Sequence, residues 1–415
     1  MNLLEKIKEE LKQRIFVLDG AMGTMIQSYN LDEKAYRGER FKDIQTPVKG
    51  NHDLLSITKP DVICEIHQRY LEAGADLIET NTFNANAVSL ADYGIADLAY
   101  ELNVASAKLA RRAIEKFGQK SSHAHYVVGS MGPTNRTASL SPDVNRPAFR
   151  NITFDELKEA YKEQAHGLLD GGADILLVET IFDTLNAKAA LLAIQEIAQS
   201  KGVVVPVMVS GTVDNSGRLL SGQVVEAFCY SVSHIDLLSI GLNCAFGAKR
   251  LRPFVEELSK IAQGFVSVHP NAGLPDLFGN YNQKPKEMAQ LMEGYLENGW
   301  VNIVGGCCGT TCEHIKQIAR VAKKYKPRQI PHFECKSMLA GLEPVEICKE
   351  KNFVNVGERT NVSGSKKFAQ LIREHNFEAA LNVARHQVVN GAQILDVSMD
   401  DAMIDAEKML PEFLR

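Results

Sequence analysis

Three cysteines carry the clearest chemical signal in the chain. Cys307 and Cys308 are adjacent in the run Gly305-Gly306-Cys307-Cys308-Gly309, where glycines let the backbone bend, and Cys244 closes the run Gly241-Leu242-Asn243-Cys244. Both runs end apolar stretches of strand character. Three thiolates meeting there would bind a soft, tetrahedral cation, zinc first, and leave one coordination position for water or substrate. A structural zinc site would close with a fourth Cys or His in a paired spacing such as C-x2-C, and the sequence contains no C-x2-C. The competing reading of Cys307 and Cys308 is a vicinal disulfide or redox pair. Cys64, Cys229 and Cys348, taken singly, read as small buried apolar residues. Cys312 and His314 fall at the start of a helical pattern that Thr310 or Thr311 would cap, so structural roles are expected of them. Zinc lowers the pKa of a bound thiol and holds it as the anion, so such a site suits a sulfur nucleophile and alkyl transfer to sulfur.

The elements that must position these sulfurs are legible as a repeat. Eight Val-, Ile- and Leu-rich runs recur: Ile15–Met22, Asp76–Phe83, His125–Pro133, Ala173–Asp183, Pro206–Val213, Leu237–Gly247, Phe265–Gly273 and Val301–Gly309. A segment of helical periodicity follows each. The capping box Thr153-Phe154-Asp155-Glu156, for example, opens a stripe of Leu157, Tyr161 and Leu168. Apolar runs alternating with amphipathic helices demand parallel strands covered on both faces, and eight such units predict an α/β fold of the (β/α)8, TIM-type barrel class. A doubly wound open sheet is the runner-up. In the barrel the site lies at the C-terminal strand ends, where the unusual residues fall. Asp19 and Glu179 could pair with an α-ammonium, amides around Gly20–Gly23 could receive a carboxylate, and Thr82 and Asn243 could contact substrate. Glu79 and Asp183 read as rim hydrogen-bond partners or surface charges, and His269 and His234 as core or rim residues.

The barrel reading covers residues 1–325. A Lys-, Pro- and Glu-rich stretch at 326–351 reads as a linker. A second unit at 352–415 would hold strands at Phe353–Asn361 and Gln393–Met399, one helix between them from Lys366 to Asn390, and another helix from about Asp401. It reads as the opening of an incomplete second β/α barrel, with exposed strand edges prone to association.

Composition narrows the function classes. The 415 residues are 45% hydrophobic and 23% charged with a net charge of −5, which fits a water-soluble globular chain and gives no basic footprint for nucleic acid. The N-terminal MNLLEKIKEELKQR reads as a surface helix, not an export signal. No apolar run approaches the ~18 residues of a membrane span. Eight cysteines without an export signal point to a reducing compartment, the cytoplasm.

Together, Asp-Gly-Ala-Met-Gly-Thr at 19–24, Glu-Thr-Asn-Thr-Phe at 79–83, Gly-Leu-Asn-Cys at 241–244 and Gly-Gly-Cys-Cys-Gly at 305–309 resemble the zinc-dependent homocysteine S-methyltransferase domain over residues 10–325. Asn355-Val356-Gly357-Glu358-Arg359-Thr360-Asn361 and Gly391-Ala392-Gln393-Ile394-Leu395-Asp396-Val397 resemble the first part of the pterin-binding barrel of the cobalamin-dependent methionine synthase family. The resemblance implies methylation of homocysteine to methionine, with Cys244, Cys307 and Cys308 as zinc ligands. It also implies methylcobalamin as donor, charged from methyltetrahydrofolate and carried by a cobalamin-binding module or protein outside this chain. Glu358, Asn361 and Asp396 would contact the pterin. S-methylmethionine as donor, or a homocysteine-binding module that works only with a separate cobalamin protein, are the alternatives.

Overall fold

The computed structural model describes residues 2–118, 123–332 and 336–415. The chain forms two compact units, Met1–Ala138 with Ile152–Phe333, and Ser139–Asn151 with Glu334–Arg415.

The first unit is the expected barrel. Its strands are β1 (Phe16–Val17), β2 (Leu77–Glu79), β3 (Tyr126–Met131), β4 (Ile175–Ile181), β5 (Val207–Gly211), β6 (Ser239–Gly247), β7 (Phe265–Asn271) and β8 (Ile303–Val304). They pair in parallel in the order β1-β8-β7-β6-β5-β4-β3-β2, and a parallel bridge between Leu18 and Leu77 brings the two ends of that order together. β1 and β8 are much shorter than the apolar runs that announced them. The turn at Asp19-Gly20 and the Gly305-Gly306 pair take the chain out of the ladder, and Met22–Gln27 is already helical.

Alternation along the strands divides the side chains. Val17, Ile78, Val127, Leu176, Val209, Val266 and Val268 face outward and pack with the surrounding helices. Inward, at the N-terminal end, Phe16, Leu18, Leu77, Tyr126, Val128, Ile175, Leu177, Met208, Phe265 and Ile303 form a separate apolar cluster. Ile7 and Leu11 join that cluster, fully buried, from the helix Leu3–Gln13. The N-terminal helix is therefore a plug for the barrel floor. Its i, i+4 apolar pair finds an inner face to cover, which the sequence alone did not reveal. The Thr153–Glu156 capping box forms as expected and starts the helix Phe154–Asp170.

The second unit departs from its expected outline in two places. Within the stretch read as a linker, β9 (Ser337–Ala340) and β10 (Pro344–Ile347) pair as an antiparallel hairpin. The single helix expected between the two later strands is two, Lys366–Arg373 and Phe377–Val389. His375 adopts φ +55°, and the Asn376 side chain accepts the Ala379 N–H to cap a new start. β11 (Val356–Asn361) and β12 (Ile394–Ser398) are parallel neighbours, and Val362, Phe368, Ile372, Ala380, Met399 and Phe413 form a small core beside them.

Candidate functional site

β6 and β8 bring the three cysteines together. The Cys244 and Cys308 sulfurs are 3.7 Å apart, and all three sulfurs lie within 4.8 Å of one another. Tetrahedral coordination at a Zn–S distance of about 2.3 Å would put sulfurs about 3.8 Å apart, so Cys244 and Cys308 stand at the spacing of a zinc site, with the Cys307 sulfur within 4.8 Å of both. All three are free thiols. Cys312 lies outside the group, in the first turn of the helix Cys312–Ala322, where the His314 Nδ1 accepts the Thr311 N–H.

The placement depends on irregular backbone. Cys244 and Ala245 sit at φ +59° and +54°, where the β6–β7 register shifts between Asn243 and Gly247. Left-handed conformations at non-glycine residues cost roughly 1–3 kcal/mol each and persist only where the surroundings impose them. On the β8 side, Cys307 N–H donates to the Pro270 carbonyl and Ala272 N–H to the Cys308 carbonyl, tying the pair to the end of β7. Gly309 has φ +78°, and a Cβ there would come within 2.2 Å of the Tyr281 ring. The Tyr281 hydroxyl hydrogen-bonds Cys308, and the Asn271 side chain hydrogen-bonds Cys244.

The three thiols act on one another through hydrogen bonds. Hydrogen bonds from Cys307 and Cys308 pull the Cys244 thiol down to about 3. Hydrogen bonding to Cys244 in turn holds the Cys307 thiol well above its ordinary value and pushes Cys308 up to about 11. Only a bound cation would ionise all three, which is the electrostatic demand of a metal site.

Below the sulfurs the barrel interior is polar. Glu179 is 4% exposed, accepts a short hydrogen bond from the Ser130 hydroxyl, and lies 3.5 Å from the Asn243 amide nitrogen. Asn243 is a strut. Its Oδ1 accepts from Thr180 N–H and Ser210 Oγ, while its Nδ2 donates to Thr180 Oγ1 at 2.8 Å and stands 3.8 Å from the Cys307 sulfur. Thr180, at φ +54°, marks the irregularity that turns the end of β4. Asp19, 2% exposed, accepts the Glu79 N–H. Burial is the main cause that raises the carboxyls of Asp19 and Glu79, and it pushes Glu179 up to about 7.

Several residues singled out from sequence have structural duties here. The Thr82 hydroxyl, read as a substrate contact, is fully buried and engaged with the Ser130 carbonyl and the Thr80 hydroxyl, so it ties β2 to β3. The Ala21 N–H, one of the amides considered for a carboxylate, donates to Thr310 Oγ1. Gly20 leaves room for that same Thr310 and for Tyr70. Asp183 caps the helix Thr184–Lys201 by accepting the Leu185 N–H. Conversely, Glu79 and His269 were not read as site residues, yet their ligand atoms and that of Glu179 lie within 4.8 Å of one another. Inward parity on β2 and β7, one step above Leu77 and two above Phe265, was the available signal. In the second unit, Asn361 Nδ2 donates to Asp396 Oδ2 at 2.9 Å, whereas Glu358 is exposed where the β11–β12 register shifts.

Fold and site together define a (β/α)8 enzyme barrel with a thiol-rich, metal-ready mouth over a buried acidic chamber. Residues 16–322 match the homocysteine S-methyltransferase family, and the chain belongs to it. Residues 357–415 match the pterin binding enzyme family, so the barrel is followed by part of a pterin-binding domain. Among solved structures, the metallated form of the homocysteine methyltransferase MmuM from Escherichia coli is 21% identical, with a TM-score of 0.59 over 77% of this chain and 99% of that one. Its oxidized form is 20% identical with a TM-score of 0.60 over the same shares. These likenesses bear on the fold. Among the described residues no helix is long and apolar enough to cross a membrane.

Proposed function

We infer that this chain is the methyl-accepting part of a cobalamin-dependent methionine synthase. In this reading Cys244, Cys307 and Cys308 hold zinc, Asp19 and Glu179 receive the ammonium of homocysteine, and the donor is methylcobalamin. The observation that carries the metal assignment is the meeting of three sulfurs within 4.8 Å of one another from two distant strand ends, one pair of them at 3.7 Å. What favours cobalamin and folate over other donors is the pterin-binding match from residue 357 onward, with Asn361 at the end of β11 joined to Asp396 within β12 and Glu358 on the same strand as Asn361.

Bound zinc would supply the thiol of homocysteine as its anion at neutral pH. The chain's own residues do the rest. Asn243 holds Glu179 and Cys307 at one spacing, so ammonium and sulfur of the substrate are gripped together. The buried chamber keeps water from the carboxylates and strengthens their hold on a cation. The sulfur then attacks the methyl carbon in line. The C–S bond forms as the bond from methyl to its carrier breaks, the electron pair leaves with the carrier, and no general base is needed. The neutral His269, held down to about 4 by burial, is accordingly no proton acceptor at neutral pH.

The donor is tested by supplying the zinc-loaded chain and homocysteine with either methylcobalamin or S-methylmethionine and measuring methionine. Methionine from methylcobalamin alone is expected. Product from S-methylmethionine alone would reassign the donor, and homocysteine binding without product from either would make the chain a binding module.

A further inference from the structure

The chamber beneath the sulfurs contains more acceptors than the reading above uses. Glu79 Oε1 and His269 Nε2 are both buried and have no hydrogen-bond partner among the described residues. His269 is 1% exposed. Unpartnered acceptors in a dry interior destabilise a fold, so one that keeps two beside a third, Glu179, is organised for an arriving donor. Their ligand atoms lie within 4.8 Å of one another, close enough for one small cation to touch all three.

We propose that Glu79 and His269, with Glu179, form a three-acceptor socket for a primary ammonium, and that this socket makes the site specific for amino thiols of homocysteine length. The proposal rests on the function inferred above. Three acceptors match the three N–H bonds of an ammonium group, while Asp19, whose carboxylate already accepts the Glu79 N–H, adds its charge from beside them, and a neutral imidazole beside carboxylates accepts one of the three without adding charge. Burial keeps His269 neutral and raises Glu79 and Glu179, which is the cost of carboxylates in this chamber until a cation arrives. The distance to the sulfurs is set by Asn243, whose Nδ2 lies 3.5 Å from Glu179 Oε2 and 3.8 Å from Cys307 Sγ. Carboxylate and sulfur are thus no further apart than those two contacts laid end to end. Homocysteine places four bonds between its nitrogen and its sulfur, cysteine only three.

The test is calorimetric binding of L-homocysteine, L-cysteine and 4-mercaptobutanoate, the analogue without ammonium, to the zinc-loaded full chain and to its Glu79→Gln and His269→Gln variants. The wild type should prefer homocysteine to both others. Glu79→Gln should weaken homocysteine by about tenfold or more, the scale of a lost charge-assisted hydrogen bond, and leave 4-mercaptobutanoate unchanged. His269→Gln, which keeps an acceptor, should lose less. Unchanged 4-mercaptobutanoate binding and one zinc per chain show that each variant is folded. Homocysteine binding equal in wild type and Glu79→Gln would overturn the socket alone. Failure of the wild type to bind any of the thiols would overturn the inferred function instead. Two zinc ions per wild-type chain, falling to one in Glu79→Gln, would overturn the ammonium in favour of a second metal.

Discussion

The two ends of the barrel interior are built from the same alternation and do opposite work. At the floor, Phe16, Leu77, Tyr126, Leu177, Met208 and Ile303 meet the helical plug of Ile7 and Leu11, all of them buried. A few ångströms along the same strands, the inward positions become Glu79, Ser130, Glu179, Ser210, Asn243 and His269. The floor gains free energy by excluding water from apolar surface. The mouth takes on costly buried carboxyls, thiols and left-handed backbone, and holds them in place with hydrogen bonds among themselves. One fold carries both because the apolar half stabilises what the polar half strains.

That division can be broken from either side. The largest effect belongs to the mouth: Cys307→Ala should abolish zinc retention and methyl transfer while circular dichroism still shows a folded, cooperatively melting barrel. Loss of the fold in that variant would mean the sulfurs are structural. At the floor, Leu177→Ala should cost about 2–5 kcal/mol in urea unfolding, the price of a buried cavity, while the folded fraction keeps its zinc. Loss of metal in proportion to stability would show that the two ends are not separable.

A pH series should sharpen the contrast. Glu179 is pushed from an ordinary 4.5 up to about 7 by burial, so the folded barrel binds its proton more tightly than the unfolded chain does. Its contribution is fully present below about pH 4.5 and is lost as pH rises through 7, and Asp19 and Glu79 act in the same sense. The Cys244 thiol, pulled down to about 3, acts in the opposite sense over the same range, so the effect is read as a difference between proteins: metal-free Glu179→Gln should lose less melting temperature, or gain more, from pH 5.5 to pH 8 than metal-free wild type. A slope unchanged in the variant would remove Glu179 from the account. The smallest effect lies at the border between the two halves. Ser267 sits between Phe265 and His269, and its buried hydroxyl has no partner among the described residues. Ser267→Ala should leave stability unchanged or raise it by up to about 1 kcal/mol in the same unfolding assay.

Much of this was legible in the sequence because it follows from periodicity. Apolar runs separated by helical stripes order eight parallel strands, and cysteines at the ends of two of those runs must face one rim. Strand lengths were less legible. Apolar composition continues past Val17 and Val304, but turn geometry decides where pairing stops. The left-handed backbone at Thr180, Cys244 and Ala245 had no signal, since none of the three is the glycine that such φ values favour. Glu79 and His269 were hidden for a different reason. A strand-end carboxylate and a histidine in a Val-rich run look alike whether they face the rim or the chamber, and their parity with Leu77 and Phe265 becomes a signal only once those two are known to face the barrel interior. The break at His375 and the hairpin in the stretch taken for a linker follow from local contacts that composition does not encode.

The central claim is that three sulfurs from two strand ends hold one metal ion and leave a position for a substrate thiol. X-ray absorption at the zinc edge, recorded on the full chain with and without homocysteine, tests it most directly. The account predicts one zinc per chain with three sulfur neighbours at about 2.3 Å, rising to four when homocysteine binds. Four sulfurs before substrate, or three unchanged after it, would contradict the account.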